Sequence, residues 1–130
     1  MKHTITVPET LGIVIPVYHS TESVRQLLYE IQNELKDFCS YHIYLVDDSN
    51  NSSISAYLNQ FCIGKDITLI TLAKNCGQQN AVLCGLNFAH KHPVVLTMDD
   101  DLQHPASFIP ILYCKLMEGF NLVYAIPENT

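Results

Sequence analysis

A chain of 130 residues, 48% of them apolar, is long enough to bury a core and too short for more than one ordinary domain. Seven Lys and Arg against thirteen Asp and Glu leave a net charge of −6. That balance excludes nucleic acid as a partner, because phosphate-backbone binding needs a clustered basic surface, but it does not exclude phosphates neutralised by a metal.

Met1-Lys2-His3-Thr4 leads into a short strand rather than the apolar core of a signal peptide. No stretch approaches the ~20 apolar residues of a membrane span. Cys39, Cys62, Cys76, Cys84 and Cys114 form no C-x-x-C pair. Their odd number and apolar surroundings predict reduced, buried thiols in a cytoplasmic protein, with no zinc site.

In chain order, residues 11–17 (Leu-Gly-Ile-Val-Ile-Pro-Val) read as a first strand, ended near Pro16. Ser20 or Thr21 caps a helix whose buried stripe is Val24, Leu27, Leu28, Ile31, Leu35 and Phe38. His42 to Val46 is a second strand, closing on the polar loop Asp47 to Ser53. A loop serine caps a short helix carrying Ile54, Tyr57, Leu58 and Phe61, which Gly64 ends. Ile67 to Leu72 is a third strand.

A helix over about 78–90 presents Ala81, Val82, Cys84, Gly85, Leu86 and Ala89, small residues for a packing face, which let it sit close to a sheet or a ligand. Val94 to Met98 is a fourth strand. Pro105 opens a last helix with Phe108, Ile109, Leu112, Leu116 and Met117 as its apolar face, ended by Gly119. Asn121 to Ile126 reads as a fifth strand. Strands alternating with helices predict an α/β domain with a Rossmann-like parallel sheet, helices on both faces and strand order 3-2-1-4.

The stretch Met98-Asp99-Asp100-Asp101-Leu102-Gln103-His104-Pro105 is where chemistry is expected. Three acids follow a buried strand, at the sheet edge where open α/β folds bind ligands. If extended geometry persists, Asp99 and Asp101 lean to one side and Asp100 to the other. Close carboxylates repel by about 1 kcal/mol per pair in water, and a divalent cation reverses that sign. Mg²⁺ and Mn²⁺ suit such a half-built oxygen site, to which Gln103 adds a third ligand.

Asp47-Asp48, closing strand two, either accepts hydrogen bonds from a base or ribose, or starts an Asx-type turn. Gly77 stands at the mouth of a helix, where backbone amides can face an anion, but taken alone that segment reads better as an ordinary glycine turn. Neither G-x-G-x-x-G nor a P-loop is present.

Ile15-Pro16-Val17-Tyr18, Val46-Asp47-Asp48-Ser49, Asn75-Cys76-Gly77-Gln78-Gln79-Asn80-Ala81 with Gly85-Leu86, and Met98 to Pro105, in that order, resemble family 2 glycosyltransferases of the GT-A fold. Nearest in pattern are the dolichyl-phosphate mannosyltransferase and bactoprenol glucosyltransferase types. The resemblance implies that Pro16, Val17, Tyr18 and Asp48 hold the nucleoside of a UDP- or GDP-linked sugar. Lys74 would lie beside the nucleotide, Asp100 would face the donor, and Asp99, Asp101 and Gln103 would bind Mg²⁺ or Mn²⁺. His19-Ser20 and Ser49 to Ser53 depart from the family's usual Asn-Glu and glycine-containing loops.

It further implies inverting transfer to a polyprenyl phosphate or another glycan, for cell-envelope polysaccharide, at the cytoplasmic membrane face. Residues 1–130 would be the nucleotide-sugar-binding part, with membrane contact through a further C-terminal part, and an apolar edge left there would favour a homo-oligomer. A general base, needed if the acceptor is a sugar hydroxyl, is expected beyond Thr130. Alternatives are a catalytically inactive nucleotide-binding module and a receiver-like (βα)₅ signalling domain. The latter lacks its acidic pair after strand one and its aspartate after strand three, where Pro16-Val17-Tyr18 and Ala73-Lys74-Asn75 stand.

Overall fold

Alternation of apolar runs with amphipathic stretches gives the parallel sheet it predicts in the computed structural model, which describes residues 9–64, 66–103 and 105–124. Its strands are β1 (Leu11–Val17), β2 (Tyr41–Asp47), β3 (Ile67–Thr71) and β4 (Val94–Thr97). They lie parallel in the order β3-β2-β1-β4, so the order reverses between β1 and β4. The helices are α1 (Glu22–Leu35), α2 (Ser52–Asn59), α3 (Gln78–Ala89) and α4 (Phe108–Leu116). The short strand expected at the N-terminus falls in residues 1–8, outside the described ones.

β1 is buried along its whole length because both faces are covered. Leu11, Ile13, Ile15 and Val17 pack with Val24, Leu27, Ile31 and Leu35 of α1 and with Ile109 of α4. On the other face Val14, Tyr44 and Val46 meet Ala81 and Ala89 of α3. Here the small residues do what their size allows: a Cβ added at Gly85 would collide with the Val14 and Val46 side chains.

Pro16 sits in a central strand without loss of a ladder bond. The amide of Leu11 and the carbonyl of Val17 bond toward β2, whereas the carbonyls of Thr10 and Val14 bond toward β4. Pro16 shares the second direction, and β4 pairs only as far as Val14 with Thr97.

Several local expectations are corrected. Thr21 occupies the α1 N-cap position without a side-chain bond. The cap of α2 is Asn51, not a serine, and accepts from the amides of Ser53 at 2.9 Å and Ile54 at 3.2 Å. Ser52 and Ser53 already lie in the first turn. α4 starts at Phe108 rather than Pro105, whose carbonyl takes the Phe108 amide at 3.0 Å. Of its apolar residues Ile109 is buried, while Phe108 and Met117 are exposed, because the helix is apolar around its whole circumference and only one side meets the core.

Residues 121–124 form no strand; Asn121, Leu122 and Val123 instead line a groove with β4 and α4, and 125–126 lie outside the described residues. All five thiols are free, but none is buried: Cys39, Cys62 and Cys84 are partly covered, and Cys76 and Cys114 are exposed, on a loop and on the open side of α4. Among the described residues no helix is long and apolar enough to cross a membrane.

At the amino end of the sheet, away from the acids, the ring of His92 is buried against α3 and β2. Its Nδ1 lies 2.7 Å from the Glu9 carbonyl, which only accepts, so Nδ1 carries the proton and Nε2 accepts from the Tyr44 hydroxyl at 2.7 Å. His42 stacks on it at 6.2 Å and meets the Thr68 hydroxyl at 2.7 Å. Burial pushes the His42 imidazole below its ordinary value; the Glu9 and Asp66 carboxylates oppose this, and His92 and Lys91 reinforce it.

Gly85→Ala is expected to destabilise the chain by about 1–3 kcal/mol through overpacking of α3 on the sheet, read as a lower urea midpoint at unchanged slope. A lowered histidine value in the fold means that the unfolded chain takes up the proton first. Stability should therefore hold above about pH 6.5 and fall as the pH drops below it. Thermal midpoints recorded between pH 7.5 and 5.5 should show that decline, and His42→Gln should make it shallower.

Candidate functional site

The carboxyl ends of β1, β2 and β4 surround one cavity of about 400 Å³, lined by Pro16, Val17, Tyr18, Asp48, Asn75, Gly77, Gln78, Asp99, Asp100 and Asp101. It lies at the reversal of strand order, where a crevice opens between divergent connections. Its size suits a small-molecule ligand. Of the nine residues expected to form a site, it gathers seven. Lys74 and Gln103, both exposed, are not among its lining.

The paired acids after β2 divide their roles. Asp47, fully buried, accepts from the Ser49 amide at 2.9 Å and from the Ser55 hydroxyl, which makes it the turn-forming residue. Asp48 points the other way, across to the loop before α3. Its Oδ1 accepts from the Cys76 amide at 2.8 Å and its Oδ2 from the Gly77 amide at 3.0 Å. The amides at that helix mouth, candidates for an external anion, thus hold an internal one. A carboxylate has about four acceptor positions, so a ligand donor still finds room on Asp48.

The same loop makes two further ties. Asn75 Nδ2 donates to the Tyr18 hydroxyl at 3.1 Å, and Gln78 Nε2 donates to Asp99 Oδ1 at 2.6 Å. Gly77 has φ of +87°, a conformation that side chains disfavour, and this turns the chain from the Asp48 contact into α3. From sequence Gly77 was noted only as the glycine at a helix mouth, and the side chains of Asn75 and Gln78 were given no role. Their signal was a polar Asn-Cys-Gly-Gln run directly before a helix of small residues.

Extended geometry does not persist through the acids. β4 ends at Thr97, the Met98 amide makes one more bond to the Val14 carbonyl at 3.1 Å, and Leu102 takes φ of +65°. The alternation expected of Asp99, Asp100 and Asp101 is therefore lost, and all three line the cavity. Burial pushes the Asp100 carboxyl above the ordinary range and the Asp101 and Asp99 carboxylates add to this, while the Ser20 hydroxyl and its own amide oppose it. The Gln103 amide closes a turn on Asp101 Oδ1 at 3.1 Å.

Among the described residues no three His, Cys, Asp or Glu side chains gather around one point that could hold a metal. What the cavity offers is two carboxylates, Asp99 and Asp101, each with one oxygen engaged by a neutral N–H and a second oxygen left. That is too little for a zinc site or a calcium cage. It fits Mg²⁺ or Mn²⁺, which take one or two carboxylates and complete their shell with phosphate oxygens and water.

The chain is similar to known proteins along most of its length. The undecaprenyl-phosphate 4-deoxy-4-formamido-L-arabinose transferase of Enterobacter sp. (strain 638) is 35% identical over 126 residues, covering 92% of this chain and 37% of that protein. Its counterpart from Proteus mirabilis (strain HI4320) is 34% identical over 116 residues, 87% of this chain and 35% of that one. The chain thus spans a little over a third of the length of these relatives. A Pyrobaculum calidifontis mannosyltransferase solved with GDP-Man and Mn²⁺ shares the fold with a TM-score of 0.62 at 16% identity, over 79% of this chain and 30% of that one. Staphylococcus aureus TarS, solved with UDP-GlcNAc, does so with a TM-score of 0.59 at 21% identity, over 71% and 26%. Glycosyl transferase family 2 matches residues 12–129, and to that family this chain belongs.

Proposed function

We propose that this chain forms the donor-binding side of a glycosyltransferase that moves a sugar from a UDP- or GDP-linked donor to undecaprenyl phosphate or a similar polyprenyl phosphate, with inversion at the anomeric carbon. The observation that carries the reading is the make-up of the cavity: four aspartates from two strand ends, and no Lys or Arg, in a space of about 400 Å³. Left alone, such a site repels a diphosphate. With a divalent cation, which Asp99 and Asp101 would hold, it would bind one. The acceptor class is supported by the named activity of the relatives from Enterobacter and Proteus.

In this reading Pro16, Val17 and Tyr18 pack against the nucleoside, and Asp48 accepts from a base N–H or a ribose hydroxyl. Lys74, next in sequence to the cavity residue Asn75, stands at the diphosphate side, and Asp100 faces the sugar. Gln103 enters the metal shell only by turning its side chain into the cavity. When bound, the cation supplies compensation for charge that develops on the departing nucleoside diphosphate. A phosphate acceptor is ionised at pH 7 and attacks the anomeric carbon without a strong base, from the face opposite the leaving group. Nothing in that scheme asks more of these residues than to bind, orient and hold charge.

Calorimetric titration of UDP and GDP with and without Mn²⁺ tests this. One of the two nucleotides should bind in a metal-dependent way, and Asp101→Ala should weaken that binding by about tenfold or more. Affinity that is independent of Mn²⁺ and unchanged in Asp101→Ala would sink the assignment.

A further inference from the structure

We propose that Gln78 is the positioning residue for Asp99: its side-chain amide fixes which carboxylate oxygen faces the cation, an inference that rests on the donor-binding reading above. Beyond the Met98 amide no strand bond directs the Asp99 side chain, and by Leu102 the backbone has turned into the φ-positive region. Its direction is set instead from another element. Gln78, the first residue of α3, reaches across 21 positions of sequence to Asp99 Oδ1 at 2.6 Å.

A carboxylate only accepts, so the amide nitrogen must face Asp99. The contact takes one oxygen and leaves the other. The platform that delivers the amide is rigid: α3 is seated on the sheet through Ala81, Gly85 and Ala89, and its first turn is pinned by the Gly77 amide on Asp48. Asp101 is held differently, by an amide of its own loop at Gln103.

The chemical type of the donor matters as much as its place. A lysine or arginine at position 78 would also orient Asp99, but its charge would cancel the carboxylate and compete with a cation. A neutral amide orients without cancelling. Hydrogen bonds of this kind to a metal-ligating carboxylate fix its geometry, and their loss typically costs about 10–100-fold in metal affinity.

The test uses the 130-residue chain titrated with UDP and with GDP, each at saturating Mn²⁺ and in EDTA, and reads the ratio of the two affinities. Gln78→Met keeps the length and removes the donor. It should lower the Mn²⁺-dependent gain, the ratio of the affinity in Mn²⁺ to that in EDTA, about tenfold or more, with the unfolding midpoint in place. In an Asp99→Asn background Gln78→Met should have no further effect on the gain, since the residue acts through that carboxylate. The exposed neighbour serves as control, with Gln79→Met retaining the full gain.

A gain undiminished by Gln78→Met overturns the proposal and leaves the donor-binding reading standing. So does an equal loss with and without Mn²⁺, which marks a structural role only. If the unaltered chain shows no Mn²⁺-dependent gain for either nucleotide, both readings fall.

Discussion

The bond pair between the Asp48 carboxylate and the amides of Cys76 and Gly77, at 2.8 and 3.0 Å, holds the site together. Asp48 is only 3% exposed, and a carboxylate so buried needs hydrogen-bond donors on both oxygens. Two backbone amides supply them while tying the end of β2 to the start of α3. From that anchor the loop reaches in two directions, through Asn75 to Tyr18 after β1 and through Gln78 to Asp99 after β4. Four consecutive residues thus bind three strand ends, and the cavity walls are set relative to one another by hydrogen bonds rather than by apolar packing.

The sheet was legible because burial on both faces leaves a plain mark in sequence. β1 was expected over residues 11–17 and is found there, since every residue of it is covered and nothing polar blurs its ends. Alternation of strand and helix predicted the parallel sheet, and the order observed is the Rossmann-type one expected for it. The cavity was legible as far as its carboxylates, because three acids after an apolar run are hard to place anywhere but at a strand end. What escaped were features decided by a single φ angle or a single donor: the positive φ at Leu102, where the chain leaves extended geometry after the acids, and Asn51 taking the cap that a serine was expected to fill. The roles of Asn75 and Gln78 depend on contacts 57 and 21 residues away, which local pattern does not encode. The strand expected from Asn121 onward failed over 121–124 for a related reason. Its apolar residues lie against β4 and α4 as lining of a groove, and composition does not distinguish lining from pairing.

Asp47 and Asp48 show how little sequence distance separates scaffold from site. Successive strand residues face opposite sides of a sheet. Asp47 therefore turns toward Ser49 and Ser55 at the start of α2, and Asp48 toward the loop that opens α3. Exchange of their roles would need a one-residue shift of β2, which would also move Ile43 and Leu45 out of the core they share with α1. The hydrophobic pattern of the strand thus decides which of two identical side chains reaches the cavity.

Charge completes the argument. Every tie made by the cavity acids runs to a neutral donor: backbone amides for Asp48 and Asp101, a side-chain amide for Asp99. The ion pairs among the described residues lie elsewhere, at Arg25 with Glu22 and Lys115 with Glu118, and the Glu9 carboxylate lies beside the His42 and His92 rings. A fold that needed these aspartates only for stability would gain by pairing them with a cation of its own, since unpaired like charges at close range are unfavourable. Here the orientation of each carboxylate is fixed and its negative charge is left uncancelled. That combination is of little use to the folded chain by itself. In the proposed reading it becomes favourable when a positive ion and a phosphate-bearing ligand arrive together, and the arrangement of neutral ties, more than the number of acids, is what supports that reading.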